Sequence, residues 1–327
     1  MPSKPRVFIS RTIPEKPLQL IQAACDVHLW DDTNPPPRPK LLDELALADG
    51  VITMLTETMD KAAFIAAPTL KVVSNYAVGY DNIDIAAATA RGIPVGNTPG
   101  VLTETTADQA FMLLLAAARR LVESVEYVRN GDWQTWYPLQ LLGQEVHGAT
   151  LGIIGLGRIG YAMAKRAKGF GMKILYHGGS RPQFAEKVGA QQVSLDDLLE
   201  QSDFVSIHTP LNDSTRHMIG QAEFAKMKSN AILINTARGA IVDTDALLAA
   251  LQSGNIGAAA LDVTDPEPIP NDHPLVTHPN CIVVPHLGSA TWQTRERMGM
   301  IAAENLLAGL RGEQLPHCVN TKVYRKR

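Results

Sequence analysis

TLGIIGLGRIGYAMAKRAKGF, residues 150–170, decides the fold. An apolar run, TLGII, leads into GLGRIG (155–160) and then into a segment with helical patterning. In that order each glycine has a task. Gly155 permits a tight turn, Gly157 lets the backbone approach a pyrophosphate, and Gly160 lets the helix pack closely on the strand. The helix N-terminus then favours the anion. A lone GxGxxG is a weak signal, and the alternative is a merely structural glycine turn. This one has its strand, its helix and a series of similar units after it.

Those units are KILYH, DFVSIH, AILIN, AAALDV and CIVVP, which with TLGIIG make six strand candidates separated by helical segments, as a doubly wound nucleotide domain requires. Upstream, RVFIS, GVIT, LKVVS and IPVGN read as buried parallel strands of another α/β region, with amphipathic stretches such as IAAATARG between them. NPPPRP (34–39) reads as a stiff surface loop. TETTADQAFMLLLAAARRL (103–121) has a long apolar face and a Thr-rich start, which predicts a helix packed between the domains. A last helix, about 291–311, has no strand after it and is expected to return to the first domain.

The chain has 327 residues, 45% hydrophobic and 19% charged, with a net charge of −3, enough for two buried cores. The charge balance and the lack of a long basic run argue against a nucleic-acid partner. No apolar run approaches a membrane span and MPSKPRVFIS lacks the apolar stretch of a secretory signal, so no membrane partner and a cytoplasmic location are expected. Cys25, Cys281 and Cys318 are far apart and lack CxxC spacing, which speaks against a disulfide framework or a zinc site.

The strand KILYH ends at His177, 17 residues after Gly160, where an acid would accept the ribose hydroxyls of NAD. A carboxylate there would repel a 2′-phosphate, whereas Gly178, Gly179 and Ser180 offer backbone and hydroxyl donors and Arg181 a planar cationic fork. NADP(H) is therefore expected. The alternative is that Arg181 is a solvated surface residue and NAD(H) binds without an acid.

Three further segments end strands with chemistry: INTARG with Arg238, LDVTDPEP with Glu267 and VVPHLGSAT with His286, the last closing the sixth strand. Open α/β sheets place their ligands beyond the carboxyl ends of their strands. An Arg can clamp a carboxylate and polarise a carbonyl, and a His oriented by Glu can donate the proton that a carbonyl needs as hydride arrives. Singly, each has a bland reading: an Arg on a helix terminus, a Glu in a proline turn, a His bound to backbone. Their shared placement favours reduction of a 2-oxo acid. No GxxxxGK[ST], HExxH or GxSxG is present, so P-loop, zincin and α/β-hydrolase chemistries lack their parts. The remaining histidines show no metal-ligand spacing, and no metal is expected.

GLGRIG, NTARG, LDVTDPEPIP and VPHLGSAT, in this order and spacing, resemble the D-isomer-specific 2-hydroxyacid dehydrogenases over nearly the whole chain. Within that family the chain is most similar to glyoxylate/hydroxypyruvate reductases, through AVGYDNID (77–84), NTPGVLTETTAD (97–108), NGDWQTWYPL (130–139) and PHLGSATWQTRERM. The resemblance implies an α/β chain of two doubly wound parallel-sheet domains. A Rossmann NADP-binding domain (99–290, with a dimerisation arm at about 101–150) is inserted in a discontinuous flavodoxin-like substrate-binding domain (1–98 and 291–327). It implies Arg238, Glu267 and His286 as the catalytic set, with the amides of Val78 and Gly79 holding the substrate carboxylate and Leu55 lining the pocket. For the cofactor it implies Thr106, Gly155, the turn Gly157, Arg158, Ile159 and Gly160, the loop Gly179, Ser180 and Arg181, Thr209 and Pro210, Thr236, Ala237 and Arg238, Asp262 near the nicotinamide amide, His286 and Gly288. It further implies a homodimer in which Trp136 reaches the partner's substrate pocket.

The implied activity reduces glyoxylate or hydroxypyruvate in a cleft between the domains. NADPH gives hydride to C2, and His286, kept protonated by Glu267, gives the proton to the nascent alkoxide. D-lactate-type activity and the non-catalytic corepressors related to the family are the competing readings. Phosphite dehydrogenases place Lys where this chain has Val78, and formate dehydrogenases place Gln where it has Glu267.

Overall fold

The structure, a computed structural model, describes residues 4–179 and 181–326. The chain divides into two compact units, Met1–Leu102 with Ala290–Arg327, and Thr103–Ser289.

In the first unit β1 (Arg6–Ile9), β2 (Asp26–Leu29), β3 (Gly50–Thr53), β4 (Val72–Asn75) and β5 (Val95–Gly96) form a parallel sheet in the order β2-β1-β3-β4-β5. This is the flavodoxin-like doubly wound order. Side chains alternate across the sheet, so one run serves two cores. Phe8, Val51 and Val73 pack with Leu41, Leu45 and Phe64, while Val7, Ile9, Ile52 and Val72 pack with Met298, Ala302 and Leu306. The last three belong to the C-terminal helix Trp292–Leu310, whose Thr291 cap accepts from Thr294 N at 3.2 Å. That helix therefore covers one face of the first sheet, and Ser74 Oγ donates to Ala302 O at 2.8 Å beneath it. β2 was not expected from the sequence: DVHL is an edge strand, exposed or half-buried throughout, so it carries no continuous apolar run. The stiff loop expected at 34–39 is shorter, because helix Arg38–Leu47 begins inside it with Pro39 in its first turn, where the missing N–H costs no helical bond.

In the second unit β6 (Thr150–Ile154), β7 (Lys173–His177), β8 (Gln191–Gln192), β9 (Phe204–Ile207), β10 (Ile232–Asn235), β11 (Ala258–Leu261) and β12 (Cys281–Val283) form a parallel sheet in the order β12-β11-β10-β9-β6-β7-β8. This is the Rossmann order with an added strand. All six expected strands form. The seventh is β8, two exposed glutamines paired to the end of β7 at Leu175↔Gln191, which no search for apolar runs finds. His286 consequently follows the seventh strand, not the sixth. Helix Thr103–Ala118 buries Ala110, Leu113 and Leu114 against Leu151, Ile153, Met163 and Ile232. It stops short of the expected 121, and Arg120 takes a left-handed φ of 50° beyond it. No helix among the described residues is long and apolar enough to cross a membrane. Cys25 and Cys281 are buried free thiols, and Cys318 is half-buried.

Candidate active site

Parallel pairing aligns the strand ends of the second unit in one row: His177, Ile154, Ile207, Asn235, Leu261 and Val283. The residues that follow each of these begin the loops at the carboxyl edge, where Arg238, Glu267, His286 and most of the expected cofactor residues lie, while Thr106 lies in helix Thr103–Ala118.

Gly155 has φ 95°, and a Cβ there would sit 2.9 Å from the His208 carbonyl and from Thr209 N. Only glycine fits where the loops after β6 and β9 pass each other. A Cβ at Gly160 would lie 2.3 Å from Gly155 O and 3.0 Å from Ile153 Cγ2 of β6, so helix Arg158–Gly169 packs closely on the turn and, as expected, on the strand. At Gly157 a Cβ would meet nothing within 4 Å. That glycine is spare for the fold, and its openness at a helix N-terminus suits the approach of a phosphate. Arg158 is exposed and Ile159 half-buried in the first turn. His208, just after β9, pairs through Nε2 with Ser206 Oγ at 2.8 Å, and burial pushes its pKa down to about 4. Thr209 is half-buried and Pro210 exposed beyond it.

After β7, Leu156 N donates to Gly178 O at 3.1 Å, and Gly178 and Gly179 take φ of 71° and 122°. A Cβ at Gly179 would press to 3.0 Å on Leu156 O, so this loop lies against the glycine turn. Ser180 lies outside the described residues. The Arg181 guanidinium sits 5.4 Å from the Phe184 ring centroid, and Phe184 stacks on Tyr161 at 4.4 Å and 15°. The sequence had singled out Arg181 but not this aromatic support. His177 turns Nδ1 to Val193 O at 3.3 Å.

Beyond β10, Asn235 shapes the next loop: its Oδ1 accepts from Ala237 N at 3.0 Å and its Nδ2 donates to Arg238 O at 2.8 Å. Arg238 is extended and donates through Nη1 to Ala237 O at 2.8 Å. Thr236 Oγ1 is buried with no protein partner among the described residues. Such an atom leaves a hydrogen bond worth about 1–3 kcal/mol to be made by something else, which a bound cofactor fits.

His286 and Glu267, 19 residues apart, meet: His286 Nδ1 lies 2.6 Å from Glu267 Oε1. Thr264 N donates to the other carboxylate oxygen at 3.3 Å. Burial alone would raise the Glu267 pKa, but the His286 hydrogen bond and charge outweigh it, and the carboxyl is held below its usual range. With Nδ1 occupied, Nε2 is the nitrogen left for proton transfer. His286 has φ 53°, a conformation that L residues rarely adopt and that its surroundings must hold.

Asp262 supplies that hold. Its C=O accepts from His286 N at 2.9 Å, Oδ1 from Leu287 N at 2.7 Å, and Oδ2 from Gly288 N at 2.8 Å. Gln109 Nε2 reaches Oδ1 at 3.3 Å, and Thr106 Oγ1 donates to Gly288 O at 2.9 Å. Asp262 is 1% exposed, and burial raises its pKa despite these donors. The family resemblance implied Asp262, Thr106 and Gly288 for the cofactor, but neither their joint grip on the histidine turn nor Gln109 was legible in the sequence.

In the first unit Leu55 lies in the loop after β3, and Val78 and Gly79 lie in the loop after β4, all three half-buried. Trp136 is 77% exposed.

Residues 111–288 match the model of the D-isomer specific 2-hydroxyacid dehydrogenase, NAD binding domain, more than half of the chain. The chain belongs to the D-isomer specific 2-hydroxyacid dehydrogenase family. Among relatives in this family, a glyoxylate reductase of Korarchaeum cryptofilum is 51% identical over 99% of this chain and 98% of its own. Among solved structures, a glyoxylate reductase from Paecilomyes thermophila is 33% identical with a TM-score of 0.87, covering 98% of this chain and 100% of that one. An NADPH-dependent glyoxylate/hydroxypyruvate reductase from Sinorhizobium meliloti, in complex with NADP and malonate, is 32% identical with a TM-score of 0.83, covering 97% of both chains. Like the family, this 2-hydroxyacid dehydrogenase uses a nicotinamide dinucleotide.

Proposed function

We propose that this dehydrogenase is an NADPH-dependent reductase of small 2-oxo acids, taking glyoxylate to glycolate and hydroxypyruvate to D-glycerate. The observation that carries the reading is the 2.6 Å contact of His286 Nδ1 with Glu267 Oε1, on the sheet edge that also bears the GLGRIG turn. The glyoxylate reductase relatives support the substrate class. The absence of a carboxylate at His177, the Arg181 fork over Phe184 and the NADP in the Sinorhizobium meliloti relative support the phosphorylated cofactor over NAD(H).

In this reading the amides of Val78 and Gly79 take the substrate carboxylate, Leu55 lines its pocket, and Arg238 clamps the carboxylate while polarising the 2-oxo group. The bound cofactor supplies a hydride to C2. His286 donates the proton from Nε2 to the oxygen that C2 carries, and the Glu267 carboxylate stabilises the imidazolium and fixes its ring. Asp262 keeps the His286 turn in its left-handed conformation. Gly155, Gly157, Arg158, Ile159 and Gly160 face the pyrophosphate. Gly179, Ser180 and Arg181 hold the 2′-phosphate, and Thr106, Thr209, Pro210, Thr236, Ala237, Asp262 and Gly288 line the rest of the cofactor path.

We assign the assembly as a homodimer, with a cytoplasmic location. Helix Leu121–Arg129 has no buried residue, and it exposes Leu121, Val122, Val125 and Val128 beside Leu142. Contiguous apolar surface of this kind marks an interface. The direct test of function is to follow NADPH and NADH oxidation against glyoxylate, hydroxypyruvate and pyruvate side by side. NADPH turnover with the first two is expected. Preference for pyruvate would make the protein a D-lactate-type enzyme, and absence of turnover with all three would leave a dinucleotide-binding regulator.

A further inference from the structure

Three asparagines converge on the loops that carry Leu55, Val78 and Gly79. A trans peptide points its C=O and N–H in opposite directions, so whatever grips the carbonyl also aims the amide. Ala77 O accepts from Thr98 N at 2.8 Å, Val78 O from Asn97 Nδ2 at 2.9 Å, and Gly79 O from Asn75 Nδ2 at 2.8 Å. The first two bonds leave the Val78 and Gly79 N–H groups pointing away from the residues that hold them. Asn75 is fully buried, and its Oδ1 is fixed by Thr53 Oγ1 at 2.9 Å. Asn82 closes the link to the neighbouring loop. Its Nδ2 donates to Met54 O and Glu57 O, both at 2.9 Å, on either side of Leu55, and its Oδ1 receives Asn75 Nδ2 at 3.4 Å. The Leu55 loop is itself braced from within, since the Glu57 carboxylate accepts from Met54 N and Ser10 Oγ, both at 2.6 Å.

We propose that Asn75, Asn82 and Asn97 are positioning residues of the substrate site. Asn97 grips the carbonyl of the peptide whose N–H belongs to Gly79, Asn75 grips the next carbonyl and so fixes the far side of the loop, and Asn82 locks the Leu55 loop to Asn75, so that two amides and one apolar side chain stay in fixed register for a small 2-oxo acid. The proposal rests on the assignment of the substrate carboxylate to Val78 and Gly79. An amide pair free to rotate would lose its aim at the carboxylate, while the cofactor residues of the other unit would be untouched.

The test compares Asn97→Asp, Asn82→Ala and Val78→Pro, reading kcat and KM for glyoxylate, NADPH affinity by fluorescence, and oxamate inhibition. Asp at 97 keeps the shape but sets an acceptor against Val78 O, and Pro at 78 deletes one of the two amides. Each of the three is expected to raise KM and weaken oxamate by about 10- to 100-fold, the loss of one hydrogen bond to a charged group, with NADPH affinity unchanged. Should Asn97→Asp fail to fold, Asn97→Ser gives the same comparison. Wild-type KM in the asparagine variants beside a raised KM in Val78→Pro overturns the positioning role alone. Unchanged KM in all three overturns the carboxylate assignment, and the positioning role with it. Parallel loss of kcat, KM and NADPH affinity would show a general loosening and equally overturn it.

Discussion

Replacing Glu267 by Gln removes one negative charge from beside His286 Nδ1 and leaves the side-chain volume nearly unchanged. The wild-type contact is 2.6 Å, close enough for the carboxylate to matter to every step in which the imidazole is cationic. Two unit charges about 4 Å apart interact by roughly 1 kcal/mol in water and about 4 kcal/mol at an effective dielectric near 20. The His286 and Glu267 side chains keep 27% and 40% exposure, so screening discounts the upper figure. A loss of about 1–3 kcal/mol is left, a roughly 5- to 150-fold fall in kcat. The pH profile supplies a second readout. Because His286 holds the Glu267 pKa below the usual carboxylate range, the carboxylate's contribution is fully present above that range and is lost only as pH falls through the lowered value. Wild type should therefore keep its activity to an unusually acid limb, and the Gln variant should lack that limb. The assay is steady-state NADPH oxidation at saturating glyoxylate across pH, with His286→Ala as reference, expected to lose about 10²- to 10⁴-fold through removal of the proton donor. A Glu267→Gln enzyme with wild-type kcat and the same acid limb would refute the electrostatic role of the pair.

Arg181→Ala should weaken NADPH by about 10- to 150-fold and leave NADH nearly unchanged, since only the former offers a 2′-phosphate; equal weakening of both in titrations would remove Arg181 from phosphate recognition. Gly157→Ala should fold with a melting temperature at or above wild type yet bind dinucleotide poorly, because its Cβ meets nothing in the protein. Gly160→Ala, whose Cβ would press on Gly155 O, should lose about 1–3 kcal/mol of stability in denaturant melts. Light scattering at micromolar concentration should report a dimer, and Trp136→Ala should shift the preference between glyoxylate and hydroxypyruvate; a monomer, or an unaltered preference, would strike the corresponding assignment.

Much of this protein was legible in one dimension. Strands buried on both faces of a parallel sheet must be apolar throughout, so TLGII, DFVSI and AILIN announce themselves, and the glycine spacing after TLGII can be read because Gly155 and Gly160 answer steric demands of the turn while Gly157 leaves its face open. The edge strands β2 and β8 were missed for the complementary reason: at an edge the backbone pairs on one side only, the side chains reach water, and DVHL and QQ carry no hydrophobic signature. Strand order lies wholly outside local sequence. The order of pairing aligned Asn235, Leu261 and Val283 in one row, brought Glu267 to His286, and set Asp262 under the turn that holds His286 at φ 53°. The sequence by itself singled out residues whose chemistry suits the reduction of a carbonyl. The tertiary structure decided which of their atoms face one another, because those contacts join loops from different strands and depend on a register that no single segment encodes.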